Sequence, residues 1–241
     1  LRQTLKGYPF KTEGDMETVL PLRKHDPDGF VHALNGMYAL AIYDTEDHSL
    51  ELVRDRLGVK PLYWAKTPQG GIVYGSEIKP MLASGLIAAE IDSDAANAYL
   101  AHGYVPTPMT LLKGIHKLPA GHRLKIDAEG HIEITRYWRP IPEQNIPENT
   151  EGIQAHLNDL IGDSVRMQLR SDVPIGVLLS GGLDSGMVVA HAAAMTPHKL
   201  KTFPARFEGG GRDESPIAAE VAARFGTEHR TLTIGSNDAA A

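Results

Sequence analysis

Ile175-Gly176-Val177-Leu178-Leu179-Ser180-Gly181-Gly182-Leu183-Asp184-Ser185 is the stretch on which the reading of this chain turns. The apolar run through Leu179 predicts a short buried strand. Ser180-Gly181-Gly182 predicts a tight turn, because residues without a Cβ let the backbone approach a ligand closely. Asp184-Ser185 then opens a helical stretch from Gly186 to Met195. A strand, a glycine turn and a helix start in that order aim backbone N–H groups at an anion. No Gly-Lys-Ser/Thr follows, so the loop is not of the Walker type and no lysine reaches a terminal phosphate. The pattern points to a pyrophosphate-binding loop, and hence to adenylation with pyrophosphate as leaving group. A plain Gly-Gly turn in a parallel α/β domain competes with that reading, but it has no need of the aspartate or of both serines.

Working outward, the second half of the chain alternates helix and strand. Thr150 is a candidate cap for a helix with Ile153, Leu157, Leu160, Ile161 and Val165 on one stripe. Beyond the loop helix, Lys201 to Phe207 reads as one strand. Ser215-Pro216 starts a helix that Gly226 ends, and Glu228 to Ile234 reads as the next strand. This order implies a parallel sheet with ligand at the carboxyl ends of its strands. Upstream, Pro140, Pro142 and Pro147 mark a linker over residues 140–149. It separates a domain at 1–139 from one at 150–241. The first half is strand-rich, with Gly36 to Tyr43, Leu50 to Arg54, Leu62 to Ala65, Ile72 to Tyr74, Arg123 to Asp127 and His131 to Thr135 split by turn clusters. Helices are expected at Ile78 to Ser84 and at Ser93 to His102, the latter capped by Asp92 or Ser93 and by Gly103.

Composition excludes several classes. With 241 residues, a net charge of −6 and no basic run, the chain is not built around nucleic acid. No apolar stretch has the length of a membrane span and no signal-peptide pattern opens the sequence, so a cytoplasmic protein without a membrane partner is expected. Cysteine is absent, which removes disulfides, thiolate metal sites and any cysteine nucleophile. The eleven histidines show no metal-ligand spacing. The sequence opens on Leu1 and closes on the small-residue tail Asn237 to Ala241, and it reads as an internal stretch of a longer protein.

Arg54-Asp55-Arg56-Leu57-Gly58-Val59-Lys60-Pro61-Leu62-Tyr63-Trp64 and Gly75-Ser76-Glu77-Ile78-Lys79 stand upstream of the loop. Leu34-Asn35-Gly36-Met37-Tyr38-Ala39, the segment from Tyr104 to His122, Asp213-Glu214-Ser215 and Gly226-Thr227-Glu228-His229 complete a set along which the chain resembles the glutamine-hydrolysing asparagine synthetase family. The resemblance implies an α+β class II glutaminase sandwich (αββα, truncated), followed by an α/β parallel-sheet ATP-pyrophosphatase domain, also truncated. It implies glutamine, aspartate and ATP as substrates, with ATP and magnesium as cofactors, and it allows a homodimer. Ammonia from glutamine would attack an aspartyl-adenylate, giving asparagine, AMP and pyrophosphate. Beta-lactam synthetases and other amide-forming relatives share the plan, and a non-catalytic nucleotide-binding protein is the alternative from another class.

Carried over by this resemblance, Ser180, Gly181, Gly182, Asp184 and Ser185 would hold phosphate oxygens, and Asp184 would bind magnesium as well. A helix cap is the other reading of Asp184. Leu178 and Ala205 would contact adenosine through backbone groups, or simply pack in the core. Asp15 would hold the α-amino group of glutamine, although it serves equally as a cap for a helix through Val19 and Leu20. Arg54-Asp55 and Ser76-Glu77 read as buried hairpin ion pairs and turn supports, without chemistry. The family's glutaminase uses an N-terminal cysteine with its own amine as base, and none is present. Pro204 and Arg206 stand where relatives carry a small residue and glycine, and Pro204 is awkward in a central strand. Gly186 replaces a serine, at a cost to the helix of about 1 kcal/mol or less.

Overall fold

A computed structural model describes residues 1–142, 146–207 and 213–235. The tail from Asn237 and part of the proline-rich linker lie outside the described residues. The chain forms two compact units, Leu1–Ile141 and Pro142–Ala241.

In the first unit a 3-10 turn (Met16–Thr18) runs into α1 (Val19–His25) and α2 (Phe30–Ala33). Strands β1 (Ala39–Tyr43), β2 (Leu50–Arg54), β3 (Tyr63–Lys66) and β4 (Ile72–Gly75) follow. Next come α3 (Ile78–Ala83), α4 (Ser93–His102), β5 (Ile115–Lys117), β6 (His122–Ile126) and β7 (Ile132–Arg136). The strands make two antiparallel sheets, ordered β1-β2-β6-β7 and β4-β3-β5.

Side-chain alternation divides β2 between two cores. Val53 joins Leu40 and Ile42 against Val19, Phe30 and Val31 of the helices. Leu52 faces the other way, opposite Leu124, and packs with Leu62, Trp64 and Leu118. Ala65 and Ile115 turn onto Met81 of α3. Helices, sheet, sheet and helix therefore stack in that order. Glu51, only 2 % exposed, sits two residues from Val53 on the same side of its strand, with Arg23 Nε at 3.2 Å and Arg123 Nη1 at 3.6 Å.

The turn after β2 is built on two side chains that bond to backbone rather than to each other. The Asp55 carboxylate accepts N–H bonds from Leu57, Val59 and Lys60 at 3.2, 2.9 and 2.9 Å. The Arg54 guanidinium donates to the carbonyls of Lys60, Leu118 and Gly58 at 2.9, 2.7 and 2.8 Å. The expected hairpin ion pair is thus replaced by a backbone clamp. Tyr137 closes it from behind, donating to the Arg54 carbonyl at 2.7 Å, and burial pushes the Tyr137 and Tyr38 phenols above the usual tyrosine range.

Two carboxylates of this unit, exposed Asp28 and partly buried Glu17, are held ionised by their partners. Lys125 and then Arg123 hold Asp28 below the usual carboxylate range, and the Lys11 N–H and Thr12 do the same for Glu17. A lowered folded-state pKa contributes stability that is complete above the unfolded value and is lost as pH falls through the folded one. The melting temperature of this unit is therefore expected to drop as pH goes below the ordinary carboxylate range. Asp28→Asn should reduce that acid sensitivity, and added salt should shrink it because the pairs are exposed. Thermal melts against pH check both; an acid-insensitive wild type contradicts the assignment.

The second unit holds α5 (Thr150–Gln168), β8 (Gly176–Leu178), α6 (Leu183–Met195), β9 (Lys201–Phe203), β10 (Ala205–Phe207), α7 (Ser215–Arg224), β11 (Glu228–His229) and β12 (Leu232–Ile234). β8, β9 and β11 form a parallel sheet with β9 in the middle, and β10 pairs in parallel with β12. Val165, Leu179, Val189, Ala192, Leu200, Ala218 and Ala222 make its core. Gly162 lets α5 approach α6, since a Cβ there would lie 3.2 Å from His191 Nδ1.

Three expectations change here. Asn149, not Thr150, caps α5, because its side chain one residue earlier accepts the Gly152 N–H at 2.7 Å. The strand expected from Lys201 to Phe207 is broken at Pro204, which has no N–H to continue the ladder. The segment from Glu228 to Ile234 is broken in step with it, with Arg230 N–H bonding the Thr202 carbonyl and Leu232 N–H the Pro204 carbonyl. No helix among the described residues is long and apolar enough to cross a membrane.

Candidate functional site

The loop leaves the carboxyl end of β8 and enters α6 with Gly182 as N-cap. Asp184 therefore lies in the first turn, where the helix dipole favours a carboxylate, rather than at the cap. Two serines fold the turn on itself. Ser185 Oγ accepts the Ser180 N–H at 3.2 Å and lies 2.8 Å from Ser180 Oγ, which in turn accepts the Gly182 N–H at 3.2 Å. The remaining loop donor, Gly181 N–H, bonds Glu214 Oε2 at 3.2 Å. Past the loop, the N–H groups of Leu183, Asp184 and Ser185 begin the helix without an acceptor among the described residues.

Neither loop glycine has a positive φ, so the reason for glycine here is space. A Cβ on Gly181 would stand 3.1 Å from Ile217 Cβ, 3.2 Å from Glu214 Cβ and 3.3 Å from the Glu214 carbonyl oxygen. Gly182 is freer, its added Cβ meeting only Ser180 Oγ at 3.2 Å.

A cavity of about 420 Å³ opens beside the loop, lined by Leu178, Ser180, Ser185, Pro204, Ala205 and Glu214 among others. Residues from the end of β8, the start of β10, the loop and the start of α7 thus meet around one space. The break at Pro204 shapes it, since the chain turns from one sheet to the other at its wall. Asp184 is placed elsewhere. It lines a larger, mostly apolar cavity of about 660 Å³ between β8, α5 and α6, with Ile161, Val165 and Met187. Leu178 borders both spaces and is 74 % exposed.

Residues 1–138 match the glutamine amidotransferase domain family and residues 156–241 match the asparagine synthase family, in that order along the chain. The chain belongs to the asparagine synthetase family. It is similar to glutamine-hydrolyzing asparagine synthetase 1 of Bacillus subtilis, 35 % identical over 99 % of this chain and 37 % of that one. The putative glutamine-hydrolyzing asparagine synthetase 2 of Methanocaldococcus jannaschii is 34 % identical over 92 % of this chain and 44 % of its own length. Amidase chry2 of Gibberella zeae is 30 % identical over 94 % of this chain and 36 % of the amidase. The chain thus spans less than half the length of these relatives.

In the amidotransferase half of this family member, Asp15 is exposed and lines a cavity of about 150 Å³ together with Leu1, Gly36 and Tyr38. It stands at the N-cap position of the 3-10 turn, yet its side chain makes no capping bond. Glu17 does the local structural work instead, accepting the N–H groups of Lys11 and Thr12 at 2.7 and 2.8 Å. Asp127, Glu129 and His131 gather on the exposed β6–β7 turn close enough to share an ion. Asp127 is already engaged by the His131 N–H and Nδ1, both at 2.8 Å, and the cluster is explained as a turn closure. The buried Thr202 hydroxyl meets Thr227 Oγ1 at 2.8 Å and His229 Nδ1 at 3.0 Å, so the Gly226-to-His229 segment ties β11 to β9.

Sequence reasoning missed Glu214. In the sequence it stands only within the tripeptide Asp213-Glu214-Ser215, and a contact over 33 positions leaves no local signal.

Proposed function

We propose that this chain comes from an enzyme that amidates aspartate: ATP converts the side-chain carboxyl to an acyl-adenylate, and ammonia from glutamine displaces AMP. What carries the reading is the convergence of Leu178, Ser180, Ser185 and Ala205 on one cavity at the carboxyl end of a parallel sheet, where a nucleotide is expected. On this reading the first unit is a class II glutaminase sandwich, to which its four stacked layers lend support, and the second is an ATP-pyrophosphatase domain. Glutamine would be held through its α-amino group by Asp15, and the enzyme would act as a cytoplasmic one.

Each residue has a definite task. The paired hydroxyls of Ser180 and Ser185 rotate from one another toward phosphate oxygens, and the open N–H groups of α6 hold the departing charge without reorganisation. Leu178 and Ala205, at the wall of the cavity, would contact adenosine through backbone groups. A carboxylate becomes electrophilic only when its oxygen is part of a good leaving group, and the loop serves that by stabilising pyrophosphate as it departs. Magnesium prefers hard oxygen donors and keeps several waters, so a few carboxylates suffice. Asp184, the residue that would hold it, is exposed and without a hydrogen-bond partner among the described residues, and would have to turn its carboxylate from the larger cavity toward the one beside Ser180. The chemistry magnesium supplies there, when bound, is charge neutralisation on the leaving pyrophosphate.

The full-length protein, supplied with ammonia in place of glutamine, should turn aspartate and ATP into asparagine, AMP and pyrophosphate in equal amounts. Chromatography of the nucleotide products decides it. Stoichiometric ADP and phosphate contradict adenylation. Failure of aspartate alongside success of another carboxylate moves the acceptor toward the amide-forming relatives.

A further inference from the structure

We propose that Glu214 makes this loop select pyrophosphate that arrives with a divalent cation over the bare anion. The proposal deepens the reading of Ser180 to Ser185 as a phosphate loop and rests on it. Glu214 Oε2 sits on the Gly181 N–H at 3.2 Å, the donor of the Ser180-Gly181-Gly182 turn that the two serines leave unsatisfied. A carboxylate thus occupies the place that a phosphate oxygen would take.

That carboxylate cannot retreat far. Glu214 is the N-cap residue of α7, and its Cβ and carbonyl oxygen lie within 3.3 Å of where a Gly181 side chain would begin. Its side chain can swing off the N–H when a phosphate enters, yet it stays at the wall of the same cavity. Its charge also stands uncompensated. Arg206 is taken by Asp213 at 3.4 Å, and no cation pairs with Glu214 among the described residues.

A bare polyanion entering this space meets a fixed like charge at short range. The penalty is roughly fivefold in affinity for each pair of unit charges about 4 Å apart, even with the full screening of water. A divalent cation held by the phosphates reverses the sign of that interaction, and a carboxylate oxygen is the ligand type it prefers. Glu214 therefore disfavours one form of the ligand and favours the other, without touching the reacting atoms.

Calorimetric titration of inorganic pyrophosphate into the 241-residue chain, once in EDTA and once in excess magnesium chloride, tests this with wild type, Glu214→Gln, Glu214→Asp and Gly181→Val. Wild type should bind clearly tighter with magnesium. Glu214→Gln keeps an acceptor for the Gly181 N–H but loses the charge, so it should bind the metal-free anion roughly fivefold or more tighter than wild type and gain less from magnesium. Glu214→Asp should keep the preference for the metal complex. Binding that Gly181→Val weakens, with Glu214→Gln no tighter than wild type in EDTA, overturns this inference alone. A wild type that binds no pyrophosphate in either buffer, or binds it equally after Gly181→Val, removes the loop reading and this inference together.

Discussion

Gly181→Val is expected to weaken pyrophosphate binding by roughly ten- to a hundredfold while the second unit stays folded. The new Cβ would lie 3.1 to 3.3 Å from Ile217 Cβ, Glu214 Cβ and the Glu214 carbonyl oxygen, and two methyls would follow it. All three atoms belong to the first turn of α7 or its cap, so they cannot rotate aside as a flexible side-chain end would. Overpacking of this kind costs about 1–3 kcal/mol, which the loop can relieve only by moving away from α7 and losing its shape. In affinity this is a fall of roughly ten- to a hundredfold, at three-dimensional positions where ångström placement of N–H groups matters. Gly186→Ala is the matched control, because nothing lies within 4 Å of an added Cβ there. It should bind as wild type does and gain a few tenths of a kcal/mol or more in helix stability. Circular dichroism establishes the fold and calorimetry the affinity; equal binding by Gly181→Val removes the loop from the site.

The largest loss of stability is expected from Asp55→Ala in the first unit. The carboxylate is 1 % exposed and accepts three backbone N–H groups of the turn that follows β2. Removing it strands those donors, each costing about 1–3 kcal/mol where water cannot replace the oxygen, so a total of about 3 kcal/mol or more is expected. Arg54→Ala should cost less, since the carbonyls it leaves behind tolerate partial satisfaction better than N–H groups do. Urea unfolding gives the difference directly. A loss below about 1 kcal/mol in Asp55→Ala would mean that the turn holds itself without the clamp.

Elements governed by local chemistry were legible in the sequence. Helix α4 falls on Ser93–His102 as expected because both of its ends are encoded by the residues that flank it: Asp92 accepts the N–H groups of Asp94 and Ala95, and Gly103 adopts a φ of 75°. The strand, loop and helix order around Ser180 was legible for the same reason. Features set by distant partners were not. The split at Pro204 was signalled by the proline, but where the chain resumes depends on β12, some 27 positions away in the register of Ala205 with Leu232. Arg54 and Asp55 invite pairing as adjacent opposite charges, yet alternation along an extended chain points neighbours apart, and each finds backbone instead. Asp184 and Ser185 read as one motif on paper. A helix turns by about 100° per residue, which sends one toward the larger cavity and the other toward the loop.

Strand β8, which carries the loop, forms one edge of its sheet among the described residues, and Leu178 lies bare upon it. An edge with unpaired N–H and C=O groups and an apolar side chain is a template for another strand, so self-association is a hazard of handling this chain in isolation. The usual remedy is a lysine or glutamate on the edge. Here that remedy conflicts with the site, because Leu178 is also a wall of the cavity beside Ser180. Colloidal behaviour and nucleotide recognition thus make opposite demands on a single residue, and a variant selected for one should be screened for the other.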